Sequence, residues 1–108
     1  MSGAGIIATT PTPPYYAVIF TAQRTATDDG YGATADRMRA LAQVQPGFLG
    51  IESAGENFEI TVSYWADLEA IATWKRNVDH AEAQRRGRAD WYSSFRVRVA
   101  KVEREYGL

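Results

Sequence analysis

Residues 15–22, Tyr-Tyr-Ala-Val-Ile-Phe-Thr-Ala, constrain this chain more than any other segment. The run is rich in aromatic and β-branched side chains and reads as a strand. Successive side chains of a strand point to opposite faces. Tyr15, Ala17 and Ile19 therefore share one face, and Tyr16, Val18 and Phe20 share the other. Both sets are apolar, so a sheet built around this strand must be covered on both sides.

The remaining elements follow from periodicity. Residues 25–31 contain Asp28-Asp29-Gly30 and read as a loop, with Asp29 and Thr34 as candidate caps of the next helix. Met38, Leu41, Ala42 and Ala35 make that helix's apolar stripe, and Pro46-Gly47 stops it. Residues 48–53 form a short second strand, 54–57 a turn, and 58–65 a third strand. In the third strand Phe58, Ile60, Val62 and Tyr64 share one face, with Trp65 on the other, more polar side. Asp67 is the expected cap of a second helix whose inner face is Leu68, Ile71 and Trp74. Asn77-Val78-Asp79 is expected to interrupt it, leaving a short further helix through Arg85 that ends near Gly87. Residues 91–104 are the last strand, with Phe95, Val97 and Val99 on one face and Arg96 and Arg98 on the other. A bend or bulge is expected within residues 98–102.

The order is β-α-β-β-α-β. It predicts an α+β, ferredoxin-like domain: a four-stranded antiparallel sheet with both helices on one face. The helices then leave one apolar face bare. The economical cover is a second copy related by a two-fold axis, so a homodimer is expected.

A chain of 108 residues fits one domain, expected here over residues 15–108, and buries roughly two thirds of its unfolded surface. Residues 1–14 carry three prolines and neither a basic start nor a long apolar core, and read as a flexible tail rather than a signal peptide. With no cysteine there is no disulfide framework and no thiolate metal site, which is compatible with the cytoplasm. A single histidine leaves no multi-histidine metal site, so no metal is expected. A net charge of −1 gives no bias toward nucleic acid or an anionic membrane, and neither partner is expected. The cations of Lys75-Arg76 and Arg85-Arg86-Gly87-Arg88 are interleaved with Asp79, Glu82 and Asp90, the pattern of a solvated helix face.

The ordered set of local motifs is more specific than any one of them. It comprises Gln45-Pro46-Gly47-Phe48 at the helix-to-strand junction, Tyr64-Trp65, Leu68-Glu69-Ala70-Ile71, and Trp74-Lys75. His80 and Ala83-Gln84 follow, then Trp91-Tyr92, Arg98-Val99-Ala100 and Tyr106-Gly107. From about Tyr15 to Gly107 the chain resembles the antibiotic-biosynthesis-monooxygenase superfamily, in particular its small stand-alone bacterial members. The resemblance implies a dimeric α/β barrel in which each last strand reaches onto the partner. It also implies a choice among cofactor-free monooxygenases of aromatic polyketides, quinol oxidases and haem-degrading monooxygenases. The haem-degrading branch uses an Asn on the first strand, a Trp on the second helix and a His ten residues later. Trp74 fits, but Gln84 stands where the histidine would be and Ile19 or another apolar residue where the Asn would be.

Three functions follow as expectations: a cofactor-independent monooxygenase or related oxidoreductase on a small quinol- or anthrone-like aromatic, a non-catalytic dimeric module for a small hydrophobic ligand, and a haem-binding protein. No cofactor is expected for the first. His80, the only histidine, is its candidate proton acceptor and the candidate haem ligand of the third. Trp74 is the second candidate catalytic residue, and on one continuous helix it lies about 120° from His80. Asn77, His80 and Gln84 would form a polar stripe beside it. Trp65, Tyr64 and Phe58 are candidates for an aromatic slot, and Arg96 and Arg98 for anion stabilisation if they point inward. Packing in the core or a dimer interface is the simpler account of any one of these aromatics.

Overall fold

The computed structural model describes residues 6–27, 30–85 and 91–108, with the backbone alone for 81–85. The elements run β1 (Tyr15–Arg24), α1 (Tyr31–Gln43), β2 (Phe48–Ala54), β3 (Phe58–Trp65), α2 (Leu68–Arg85) and β4 (Tyr92–Val102). The four strands form one antiparallel sheet in the order β2-β3-β1-β4. This is the expected α+β, ferredoxin-like βαββαβ arrangement.

Strand register fixes the two faces. Val18 lies opposite Ser63 on β3 and Val99 on β4, and Phe20 opposite Thr61 and Val97. These residues face the helices. Ile19 lies opposite Val62 and Arg98, on the far face. The helix side of β3 is therefore Glu59, Thr61, Ser63 and Trp65, the row that looked more polar. The apolar row of Phe58, Ile60, Val62 and Tyr64 faces away from the helices, with Phe58 55% exposed and Ile60 40% exposed. Alternation identifies which residues share a face; it does not say which face the helices choose.

The core sits at one end of the helix side. Trp65 is fully buried and packs with Ala42 of α1 and Ile71 of α2, ringed by Tyr16, Val18, Phe48 and Trp74. Its indole N–H donates to Ser63 Oγ at 2.9 Å, which removes the cost of burying that donor. Gly47, at φ 84°, lets the chain turn against α2: a Cβ there would lie 2.6 Å from Ala70 Cβ. The Gly47 carbonyl accepts from Ala66 N–H at 2.8 Å, and the Asp67 side chain caps α2 by accepting from Ala70 N–H at 2.8 Å.

Several boundaries differ from expectation. α1 begins directly after Gly30, which takes a left-handed conformation, so no side chain caps it and Thr34 is buried inside the helix. Asp29 and Gly87 lie outside the described residues. Leu41 and Leu68 turn outward, at 37% and 55% exposure. α2 passes through residues 77–79 unbroken, since Asn77 spends its side chain on a tertiary hydrogen bond to Gln45 Oε1 at 2.9 Å instead of on a cap. The β1–β4 register is regular through residues 98–102; its irregularity lies between Gln23 and Arg24.

Residues 6–14 form neither helix nor strand but make specific contacts. Ala8 N–H donates to Glu52 Oε2 at 2.8 Å. Thr10 Oγ1 donates to Glu105 at 2.7 Å and lies 2.9 Å from the Tyr15 hydroxyl, which also donates to Glu105. Among the described residues, no helix is long and apolar enough to cross a membrane.

Candidate functional site

Short side chains on facing surfaces leave a gap between sheet and helices. On the sheet side β3 presents Thr61 and Ser63, and β2 presents Ile51 and Ser53; α1 answers with Thr34, Ala35 and Ala42. Apart from Ile51, these groups are too small to close the layers to the packing density of a protein interior. The result is a cavity of about 350 Å³, within the range of small-molecule sites. Val18, Phe20, Val97 and Val99 form its strand wall, Met38 belongs to α1, and Ile71, Trp74 and Val78 come from α2.

Its polar chemistry gathers at the end where α1 begins and β4 starts. Tyr31, the first residue of α1, places its hydroxyl 2.6 and 2.7 Å from the two carboxylate oxygens of Glu59, and donates to either. Tyr92, at the start of β4, donates to the Tyr31 hydroxyl at 3.4 Å. Aromatic rings cluster at this end: Tyr31 meets Trp91 at 5.6 Å and Tyr92 at 6.0 Å between centroids, and Phe20 meets Tyr92 at 5.4 Å. The Arg24 guanidinium stands 3.5 Å over the Tyr31 ring. Burial, then the bond to Glu59, pushes the Tyr31 phenol above its usual range. Burial, then the bond to Tyr31, does the same for Tyr92. Both phenols are therefore donors near neutral pH, and Glu59 is the acceptor of the chain.

Two cationic side chains also reach the cavity. Lys75 is paired with Asp79 at 2.7 Å. Arg39 donates from Nη2 to Ser53 Oγ at 3.1 Å.

The residues singled out in the sequence do not come together in one place. Trp74 lines the cavity and stacks on Trp65, with centroids 5.8 Å apart and planes 26° apart; Trp65 is the fully buried support behind it, not part of the wall. Tyr64 and Phe58 lie on the far face, so no slot joins them to Trp74; the Tyr64 hydroxyl donates to Glu52 Oε1 at 2.8 Å. Arg96 and Arg98 are exposed on that same face, opposite Thr21 and Ile19, and do not point inward. Asn77 binds Gln45 at the α1–β2 turn.

His80 is exposed and off the cavity wall. At about 100° per residue it lies roughly 180° around α2 from Ile71, which faces the sheet. The side chain of Gln84 lies outside the described residues. An imidazole ligand for haem is thus not on the cavity wall, and the residues present do not fit the haem reading. Among the described residues, no three His, Asp or Glu side chains gather as a metal site. Sequence reasoning missed Glu59, Tyr31, Tyr92 and Arg39. One signal was available for the first: a carboxylate in register with Thr61, Ser63 and Trp65 on one face of a strand.

Fold and cavity together define a class, the ferredoxin-like βαββαβ proteins with an aromatic-walled cleft between sheet and helices. Within it, the chain belongs to the family of the uncharacterized protein YqjZ of Bacillus subtilis (strain 168). The two are 53% identical over 98 residues, which span 89% of this chain and 86% of that protein. No family model matches the chain. Among solved structures it is similar to SnoaB, a cofactor-independent oxygenase from Streptomyces nogalater, with a TM-score of 0.67 at 15% identity over 84% of this chain and 95% of that one. It is also similar to NE2512, a protein of unknown function from Nitrosomonas europaea, with a TM-score of 0.63 at 14% identity over 91% and 96% of the two chains. PA3566 from Pseudomonas aeruginosa gives 0.59 at 16% identity over 89% and 99%. At these identities the likeness shows the fold.

Proposed function

We propose that the chain is a cofactor-independent oxygenase of a flat, electron-rich aromatic substrate of the quinol or anthrone kind, and that it works as a homodimer. One observation carries the reading: a carboxylate and a phenol, Glu59 and Tyr31, are hydrogen-bonded to each other at the end of an otherwise apolar, aromatic-walled cavity. The fold shared with SnoaB, a cofactor-independent oxygenase, supports it.

Such a reaction asks three things of the protein: a dry slot for the ring, a base, and a donor for the oxyanion that forms. Trp74, Phe20, Val97 and Val99 supply the slot. Glu59 takes a proton from the substrate. Once Glu59 is protonated, Tyr31 no longer has a carboxylate to bind and turns its hydroxyl to the substrate oxygen. The deprotonated ring is the only reductant required. With an anthrone, the ring CH₂ becomes C=O; one oxygen atom of O₂ enters that carbonyl, and the other leaves as water with the two hydrogens lost from carbon. The substrate gives up four electrons and O₂ accepts four.

The test is enzyme-dependent oxygen uptake with an anthrone and with a quinol, against autoxidation in buffer. Uptake above that background is expected, with Glu59→Gln lowering the rate by about 10²- to 10⁴-fold, the usual worth of a positioned base. Uptake equal to the background with both substrates overturns the reading. The homodimer rests on the part of the far face that the protomer leaves uncovered, where Phe58 and Ile60 are exposed beside Ile19 and Val62, while Tyr15 and Ala17 on the same face are already buried.

A further inference from the structure

We propose that Arg39 makes the cavity selective for an aromatic carboxylate, gripping the acid group while the ring system lies in the cleft. This rests on the reading of the cavity as the substrate site and adds the charge of its occupant.

Arg39 is half-buried at the middle of α1. It borders the main cavity on one side. On the other it borders a second hollow of about 320 Å³ beneath residues 6–9, and Arg39, Ile51 and Ser53 line both. The guanidinium therefore stands on the partition between the two spaces. Among the described residues its polar contact is with a neutral group, Ser53 Oγ at 3.1 Å, and no carboxylate lies within ion-pair distance.

That arrangement leaves donor capacity unused. A guanidinium has five N–H donors and does not give up its proton in a protein. Partly withdrawn from water and with no counter-ion among the described residues, it is an unfavourable group that an anion would relieve. Lys75 is different: Asp79 already neutralises it at 2.7 Å. The planar fork of Arg39 matches a carboxylate, which it can hold by two parallel hydrogen bonds.

Orientation follows from the sheet. Ser53 lies across from Thr61, and Glu59 is two residues further along the same face of β3. An acid group held at Arg39 leaves the Glu59–Tyr31 pair for the rest of the ring system. The reversed pose is opposed, because it sets the substrate carboxylate against the carboxylate of Glu59.

Isothermal titration of the full chain with 2-naphthoate and with its neutral isostere 2-naphthamide tests this. Naphthoate is expected to bind roughly tenfold tighter or better, the typical gain of a hydrogen bond to a charged group. Arg39→Gln should bring the two ligands to similar affinity, with an unchanged far-ultraviolet dichroism reporting an intact fold. Arg39→Lys should keep part of the preference, since it keeps charge but not the fork. Lys75→Gln should keep all of it. Equal wild-type affinities, a preference that survives Arg39→Gln, or one lost only in Lys75→Gln would each overturn the proposal while the aromatic cavity stands. Failure of both ligands to bind would overturn it together with the cavity reading.

Discussion

At the scale of single residues, the candidate chemistry depends on helix phase more than on residue type. His80 attracts attention because it is the chain's only histidine. An unbroken α2 fixes its direction, however, and the side chain faces away from the cavity that Ile71, Trp74 and Val78 wall. Glu59→Gln and His80→Ala therefore separate two mechanisms. Loss of oxygen uptake in the first variant alone is expected; loss in His80→Ala with Glu59→Gln active would return the proton to the imidazole. The phenols make a second prediction. Burial and then Glu59 raise Tyr31, and burial and then Tyr31 raise Tyr92. Between the unfolded and folded values, the native chain keeps protons that the unfolded chain has released. The associated stability is whole below about pH 10 and is lost as pH rises through the folded values. Tyrosinate absorbance should accordingly show a late-ionising group under native conditions, and Tyr31→Phe should remove one member from it. A late group unchanged by that substitution would mean Tyr31 is not placed against Glu59. Trp74 was legible because it shares a helical stripe with Ile71. Glu59 was not, because a carboxylate on a strand ordinarily marks the solvent side.

Elements were easier to read than their facing. Period-two alternation located β3 to the residue, and Asp67 announced the start of α2. The choice of covered face was hidden, since β1 is apolar on both sides and gives the helices no preference. What decides it is Trp65: its ring needs full burial, and Ala42, Ile71 and Trp74 provide that only on the side that also carries Glu59, Thr61 and Ser63. The segment before β1 is a further case, because its composition reads as a tail while its contacts tie residues 8 and 10 to Glu52 and Glu105. Gly50 is the close approach that permits this. A Cβ at that position would lie 2.8 Å from the Ala8 Cβ. Gly50→Ala should push residues 6–10 off β2 and break the Ala8-to-Glu52 hydrogen bond, leaving the sheet pairing intact. Hydrogen exchange is the measurement: the Ala8 amide should lose protection while the amides of β1 and β3 keep theirs. Equal protection at Ala8 in both proteins would show that the segment is not held through this contact.

For the whole molecule, the far face of the sheet carries the assembly argument, and its charges are as ordered as its apolar groups. One row across the sheet reads Glu52, Val62, Ile19, Arg98, from β2 to β4. The next reads Ala54, Ile60, Thr21, Arg96. An acidic edge, an apolar centre and a basic edge are self-complementary when a second copy lies face to face about a two-fold axis parallel to the strands, because each β4 then crosses the partner's β2. The chain is expected to sediment as a dimer at micromolar concentration. Ile60 is the informative position, since at 40% exposure it already meets water in the lone protomer. Ile60→Asp should therefore leave the protomer folded, with its far-ultraviolet dichroism unchanged. It should weaken the dimer by about a hundredfold or more, because the interface would have to bury an unpaired carboxylate. Ile19→Asp, at a less exposed position between β3 and β4, should cost both association and thermal stability. A wild-type chain that sediments as a stable monomer, or an Ile60→Asp variant as dimeric as the wild type, would remove the far face from the assembly. The cavity would be untouched by either result, because it lies on the opposite side of the sheet and is built from one protomer's residues.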